Sequence, residues 1–565
     1  MSMDQGGGPV IRNHQLRWGI AFVIVLAGIL AYANSLTNDY VWDDASSILR
    51  NQTIQDMGNI GQVFHEDQHR YGRGQGNFYR PVLALSFMVD YALSNPAPGQ
   101  DPGPLIFHIT NTIWHIAAAL LLYALLIRLG APRFVQFAVP LIYVVHPLHT
   151  QAVTYISGRG DPMAGAFVLL GMWCALREGS IGKRAAGIAA AMACLVAGLL
   201  SKESAAVFPF LLLILALGAP TRSESSVARP TLARFIPVAM ALLITVVYGI
   251  LRATVLQFGE DAAMPDAPLG QRIVETGQAL AIYLRLMVVP TGLHMERTLD
   301  GVPAWVAGMG YGALTVMLVA LVWSIRAKKT RIAMGLGWFL VAWFPISGLI
   351  PLNAPMAEHW MYLPMAGLLW AVAEAVEPLT RSPRAKPVAT GLVYGACLIL
   401  LVLTVSRNRD WRDNETLFRD TLAHNPNTAR VHFNLAVTYE DLEGNIPGAQ
   451  RHYRRVLEIY EERKAENPEL QDLYWDEELE AHLSLGNIAL NQGAIDRAAR
   501  HYQTLLRLQP EGYTQYIMAE AAHGMAQCFL AVGETEQARS MLEMAAQLAP
   551  ELMPDAPAIQ ESPIS

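Results

Sequence analysis

From residue 18 to about 406 the chain is a succession of apolar segments, each roughly the length a helix needs to cross ~30 Å of hydrocarbon. In lipid every backbone amide must be satisfied within the protein, so segments of this composition are read as helices. Spans are predicted near 18–36, 105–127, 134–150, 162–176, 185–200, 204–219, 235–256, 303–325, 332–350, 361–379 and 387–406, about eleven crossings in all. Residues 271–290 carry Arg272, Glu275, Tyr283 and Arg285 and read instead as a helix lying at the interface. Beyond about 410 the sequence turns amphipathic and highly charged. With 565 residues, 53% hydrophobic and 16% charged, the chain is too apolar for a soluble protein of several domains. The expected fold class is all-α: a polytopic helical membrane domain at 18–406 and a helical soluble domain after it.

The first span is longer than a signal-peptide core, and Asn34-Ser35-Leu36 is no small-residue cleavage site, so it is expected to be retained. Three of the four cysteines (Cys174, Cys194, Cys397) fall in spans and Cys528 stands alone, which is no disulfide framework. Orientation comes from the loops. The N-terminus (1–17) and the connections near 128–133, 177–184, 220–234, 326–331 and 380–386 hold Arg12, Arg17, Arg128, Arg222, Arg229, Arg326, Lys328, Lys329 and Arg331 with very few acids. The positive-inside rule makes that side cytoplasmic and places the C-terminal domain outside.

The opposite side carries a different chemistry. The first external loop, 37–104, holds Tyr40-Val41-Trp42-Asp43-Asp44 and then Tyr79-Arg80-Pro81. His146-Pro147-Leu148-His149 ends the third span, and Gly158-Arg159-Gly160-Asp161 follows it. Ser201-Lys202-Glu203 ends the fifth. The external loop 257–302, with its interfacial helix, adds His294 and Glu296-Arg297, and the next adds Glu358-His359-Trp360 with Tyr362. Ionisable groups at a membrane edge are costly unless paired or working. Each has a bland alternative: a lone His at a helix end is commonly a cap, and Lys202-Glu203 can be a local ion pair. Convergence from five loops on one rim is harder to explain that way.

Adjacent carboxylates supply a general base or ligands for a divalent ion, here Asp43 and Asp44. Histidines and single cations at the same rim (Arg80, His146, His149, Arg159, Lys202, Arg297, His359), with Asp161, Glu203, Glu358 and Tyr362 beside them, suit a phosphate leaving group and the sugar attached to it. Such a site fits transfer of a sugar from a polyprenyl-phosphate donor to a hydroxyl. An Asp takes the acceptor proton, the oxygen attacks the anomeric carbon, and the lipid phosphate leaves into the cations.

These blocks resemble the large-loop membrane glycosyltransferases of the GT-C superfamily. The likeness is greatest to the transmembrane and tetratricopeptide-repeat (TMTC-type) protein O-mannosyltransferase family, of which this chain looks like a bacterial-type relative. The likeness rests on Tyr40–Asp44 with Asn51, Tyr79-Arg80-Pro81 with Leu85-Ser86-Phe87, and Phe107-His108-Ile109-Thr110-Asn111 with His115. It continues through His146–Val153, Gly158–Asp161, Ser201-Lys202-Glu203 and Glu358–Pro364. The family pattern is departed from at Gln151 (usually Glu), at Gly160 (usually Ala) and at His359-Trp360 (usually Arg-Tyr). The resemblance implies an acid pair in the first external loop as the catalytic centre and a dolichyl- or undecaprenyl-type lipid donor. It does not imply mannose.

The C-terminal part reads independently as tetratricopeptide repeats over 411–552. Gly444, Gly493 and Gly533 are followed by Ala449, Ala498 and Ala538, and then by Tyr453, Tyr502 and Leu542. Pro510 and Pro550 close the last two units. Gly suits the tight inter-helix turn, Ala the close helix crossing, and the large residue the contact with the next repeat. Such a stack binds an extended peptide or a helix, so the acceptor is expected to be Ser or Thr of an exported protein. The tail, 553–565, is expected to be disordered. Two other readings stay open: a non-enzymatic membrane scaffold for an envelope complex, and the same enzyme acting on a glycan or lipid. No feature points to nucleic acid. The compact loops and the Ala/Gly/Arg-rich composition lean towards a bacterial inner membrane with the site facing the periplasm, or the ER membrane in a eukaryote.

Overall fold

The computed structural model describes residues 8–68, 77–97, 99–218, 231–256, 268–441, 444–467, 470, 473–508 and 513–550. Arg222, Arg229, Pro510, the tail 553–565 and part of the 257–302 loop therefore lie outside the described residues, as does the side chain of Arg12. The chain divides into two compact units, Met1–Asp413 and Asn414–Ser565. Among the described residues there is no strand, only an isolated antiparallel bridge between Arg297 and Met356. The fold is all-α.

The first unit runs α1 (Gly8–Tyr32), α2 (Pro81–Ser94), α3 (Leu105–Arg128), α4 (Arg133–Val144), α5 (Thr150–Val153), α6 (Gly160–Ala175) and α7 (Ile181–Leu199). It continues with α8 (Phe208–Gly218), α9 (Ile236–Thr254), α10 (Leu269–Val288), α11 (Trp305–Arg326), α12 (Thr330–Trp343), α13 (Tyr362–Val376) and α14 (Ala385–Asp410). Among the described residues six helices, within or containing α1, α3, α7, α9, α11 and α14, are long and apolar enough to cross a membrane. The chain is an integral membrane protein. The other predicted spans are shorter helices. Single 3₁₀ turns break the backbone at Pro147–His149, Ile156–Arg159, Glu203–Val207 and Glu358–Met361. Non-helical backbone within a membrane is tolerated only where protein or a cavity surrounds it. These four turns hold His149, Arg159, Glu203, Glu358 and His359, with His146, Lys202 and Tyr362 next to them.

Close helix crossings are made by glycine. A Cβ on Gly335 of α12 or on Gly367 of α13 would stand 2.8 Å from the other's carbonyl oxygen, and Gly310 of α11 meets the carbonyl of Gly277 on α10 more tightly still. Without a hydrophobic force between helices in lipid, this backbone approach is what packs them. Segment 271–290, read as interfacial, forms α10; it is not among the six span-length helices. Helix α2 starts at Pro81, inside the 37–104 loop.

The second unit begins with α15 (Asn414–His424). Three helix pairs follow: α16 (Ala429–Asp441) with α17 (Ile446–Glu466), α18 (Asp476–Asn491) with α19 (Ile495–Leu505), and α20 (Tyr513–Ala531) with α21 (Thr535–Leu548). Gly444, Gly493 and Gly533 turn each pair at φ of 60°, 70° and 82°, a region that favours glycine. Ala449, Ala498 and Ala538 are fully buried in the second helices.

Candidate active site

The acid pair is held by an unusual local backbone. Trp42 has φ 52°, a conformation that a bulky residue rarely adopts and that tends to persist at functional sites. Its ring stacks on Tyr155 at 5.8 Å, and Trp411, past the end of α14, also stacks on Tyr155 at 5.5 Å. The clamped Tyr155 hydroxyl donates to Asp43 Oδ2 at 2.9 Å. Asp44 is fully buried and accepts three hydrogen bonds: from Val41 N–H at 3.1 Å, Ser157 N–H at 2.8 Å and Ser157 Oγ–H at 2.6 Å. The two acids thus differ in kind. Asp44 is a structural anchor, and Asp43 is partly exposed.

Burial raises the Asp44 carboxyl to about 7 against the lowering effect of its three donors. The unfolded chain releases this proton at an ordinary carboxylate pH, so between roughly pH 4 and 7 the folded state holds the extra proton. Folding stability from this group therefore falls as pH rises from about 4 to 7 and levels off above 7. A thermal-shift series over that range should show the slope, and Asp44→Asn, which cannot titrate, should flatten it.

The turn bearing Tyr155 and Ser157 is fixed from behind. Asn111 Nδ2 donates to the carbonyls of Val153, Tyr155 and Ile156 at 3.0–3.2 Å. Asn408 of α14 bonds Ala31 O, Asn34 and Thr154, each at 2.8 Å, tying the last helix to the first and to the same turn.

Arg80 forms a fork on Glu203, with Nη2–Oε2 at 2.8 Å, and also reaches Gln68. Lys202 Nζ lies 2.7 Å from Asp161. Arg297 meets Glu358 at 3.2 Å, and the His294 N–H donates to the same carboxylate oxygen at 2.7 Å. Glu358 Oε2 has no hydrogen-bond partner among the described residues. Its neighbour His359 is kept neutral, driven down by burial first and then by the charges of Lys202 and Arg80. Glu358, raised by burial, feels the opposing charges of Arg407 and Arg297. The Glu358–His359 turn thus stands within electrostatic reach of two cation groups, Arg80 with Lys202 and Arg297 with Arg407. Arg407 in turn lies over Trp411 at 5.8 Å, which leads back to Tyr155 and Asp43.

Four predicted residues are buried in contacts within the protein. Arg159 is fully buried and ion-paired to Asp90 at 2.6 Å, with further bonds to Asn111, Ser86 and the Phe107 carbonyl at 2.5, 2.7 and 2.9 Å. His146 caps its own turn through Leu148 N–H and bonds the Met287 carbonyl. The Tyr362 hydroxyl is buried against His115 at 2.8 Å. His149 is buried among Tyr143, Tyr362 and His115, with no hydrogen-bond partner on either ring nitrogen among the described residues. Gln151, the position that departs from the family pattern, bridges Met295 O and the His359 N–H.

Hydrogen bonds engage both oxygens of Asp44 and one of Asp43, so a divalent ion at the pair would bind through Asp43 Oδ1 and draw its other oxygens from water or a donor phosphate. Among the described residues no group of three or more His, Cys, Asp or Glu could hold a metal. Sequence reasoning missed Tyr155, Ser157, Arg407, Asn408, Trp411 and Asp90. Tyr155 and Ser157 directly precede the Gly158–Asp161 block, and Arg407 directly follows an apolar span, which were the available signals.

No protein-family model matches the chain. Relatives do. Protein O-mannosyl-transferase TMTC4 of Mus musculus is 24% identical over 491 residues, covering 76% of this chain and 65% of that protein. Protein O-mannosyl-transferase F38B6.6 of Caenorhabditis elegans is 22% identical (81% and 64%), and Protein O-mannosyl-transferase Tmtc3 of Drosophila melanogaster is 23% identical (77% and 54%). The chain spans less than two thirds of the length of each. A crystal structure of ArnT from Cupriavidus metallidurans in the apo state aligns over 94% of this chain and 80% of its own with 14% identity, but its TM-score of 0.36 supports no argument. By sequence, the chain is a homologue of the TMTC-type protein O-mannosyl-transferases.

Proposed function

We propose that this protein is a GT-C-type membrane glycosyltransferase that moves a sugar from a polyprenyl phosphate to Ser or Thr of an exported polypeptide held by the repeat unit. The observation that carries the reading is Asp43: a partly exposed carboxylate with one oxygen fixed by Tyr155, beside an anchored Asp44. Tyr155 leaves Oδ1 of Asp43 to accept the proton of the acceptor hydroxyl. The acceptor oxygen then bonds the anomeric carbon as the bond from that carbon to the phosphate oxygen breaks. The phosphate keeps the electron pair and leaves towards Lys202, Arg80, Arg297 and Arg407, whose partner carboxylates hold them in place. Arg159, with four bonded contacts of its own, braces the acid-pair turn rather than touching donor. His146 and Tyr362 serve the same structural end.

The reading places the acid pair and the repeats on the non-cytoplasmic face, the periplasm if the cell is bacterial. The relatives' names make mannose the first sugar to try. The test is mass spectrometry of exported proteins from cells with and without this chain. Ser- or Thr-linked hexose present only with the chain is the expected result. Unchanged glycosylation together with loss of an envelope complex would support the scaffold reading instead. Modification of a glycan or lipid alone would remove the polypeptide acceptor.

A further inference from the structure

The repeat unit contains a duplication that the transfer chemistry does not use. Arg451-His452-Tyr453 on α17 recurs as Arg500-His501-Tyr502 on α19. In each copy the tyrosine is buried and bonds a residue of its first helix, Tyr453 to Glu440 at 2.8 Å and Tyr502 to Asn487 at 2.7 Å. In each copy the histidine meets a histidine of the first helix, Nδ1 to Nδ1. His452 and His432 are 2.8 Å apart, and His501 and His482 are 3.0 Å apart. The third pair has Met541 at the corresponding place after its turn glycine, so the pattern occurs twice. Gln450 and Gln492 bridge the two copies at 3.3 Å.

Around these imidazole pairs the charge is mainly positive, with Glu458 near His432 the exception. Arg451, Arg454, Arg497 and Arg500 are exposed, lie within electrostatic range of the histidines, and have no ion pair among the described residues. Other cations nearby are matched: Arg419 by Glu415 at 2.6 Å, Lys464 by Glu478 at 2.8 Å, and Arg455 by Glu458 and Glu462 at 3.0 Å. The unmatched set is out of character for its surroundings, since acids outnumber bases about two to one across residues 414–565. At the first copy a cavity of about 380 Å³ opens, lined by Arg419, His432, Tyr439, Asn445, Arg451 and His452 among others. No carboxylate belongs to that lining.

We propose that the two copies form one binding strip for an acidic segment of polypeptide. Guanidinium groups recognise carboxylates in a two-pronged geometry that other cations do not reproduce. A feature repeated once per helix pair suits an extended chain bearing several acids better than a single small anion. The proposal deepens the reading that the repeats hold the acceptor, and predicts acceptors with acidic flanks. Only that consequence rests on the transfer reading, because binding is measured with no sugar donor present.

The experiment is fluorescence anisotropy on the full chain in detergent, with two labelled peptides, one repeating Glu-Ser-Gly and one repeating Lys-Ser-Gly. The glutamate peptide should bind, more weakly as salt rises, and the lysine peptide should not. Changing Arg451, Arg454, Arg497 and Arg500 together to Gln should weaken binding by about tenfold or more. Changing only Arg451→Gln and Arg454→Gln should give an intermediate loss. These side chains are exposed, so the thermal midpoint should hold, and the four Arg→Lys changes should keep the charge but recover only part of the affinity. Equal binding of both peptides, or full binding by the four-Gln variant, would overturn the proposal. So would capture of phosphatidylglycerol vesicles through the same arginines with no binding of the glutamate peptide.

Discussion

Asp43→Asn should lower sugar transfer by about 10²–10⁴-fold, the range general-base catalysis supplies, while the thermal midpoint stays within a few degrees of the parent. The asparagine carbonyl can still accept from Tyr155, so the clamp of Trp42, Tyr155 and Trp411 survives the change. Asp44→Asn behaves differently. Backbone N–H groups of Val41 and Ser157 point at opposite oxygens of Asp44, so an amide nitrogen would face a donor whichever way it turns. A buried donor left without an acceptor costs about 1–3 kcal/mol, which should appear as a lower midpoint above pH 7, where the carboxylate is ionised. The pair therefore separates by readout: one substitution removes turnover at constant stability, the other removes stability first. Full activity in Asp43→Asn with an inactive but stable Asp44→Asn would exchange the two roles and end the assignment of Asp43 as base. Tyr155→Phe tests the same geometry from the other side. It frees Asp43 without removing it, so activity should fall less than in Asp43→Asn.

How much of this was legible follows from what kind of signal each feature leaves. Apolar blocks of membrane-crossing length specify helices because lipid offers the backbone no other partner, and the all-α fold follows from them. Helix breaks at the rim were visible only as prolines and charges interrupting those blocks. Pro147 and Glu203 sit where the helices end, but nothing in the spacing said that a 3₁₀ turn would follow. The pairing of ions was less legible. Arg80 with Glu203, Lys202 with Asp161 and Arg297 with Glu358 join residues that a sequence can place on one side of a membrane but cannot match. Arg407 falls in the gap between the stretches read as spans and as repeats, and Trp411 opens the stretch read as repeats although it belongs to the first unit. Their role depends on Asn408 stitching α14 to α1 and to Thr154, a contact between positions far apart in the chain. His146 shows the reverse error. A histidine beside a proline at a helix end is first of all a cap, and the structure uses it as one.

Arg159 gives the sharpest test of how the charged residues divide between structure and substrate. Its side chain is 0% exposed and that of Asp90 2%, at 2.6 Å, with Thr110 donating to the other Asp90 oxygen at 2.8 Å and the guanidinium over the Phe87 ring at 4.6 Å. Removing one partner of such a pair strands a charge in a dry interior, at a cost of about 3–5 kcal/mol, whereas removing both can be nearly neutral. Arg159→Met alone should therefore unfold the protein several degrees earlier, as should Asp90→Leu alone. The double variant should recover most of that loss, although Asn111 and the Phe107 carbonyl lose their donors and keep the recovery incomplete. A residue that contacts the donor phosphate would give another pattern: an unchanged midpoint, a raised KM for the lipid phosphate, and no rescue by the second substitution. That outcome would return Arg159 to the phosphate site. The coupled loss and rescue would leave the leaving group to Arg80, Lys202, Arg297 and Arg407.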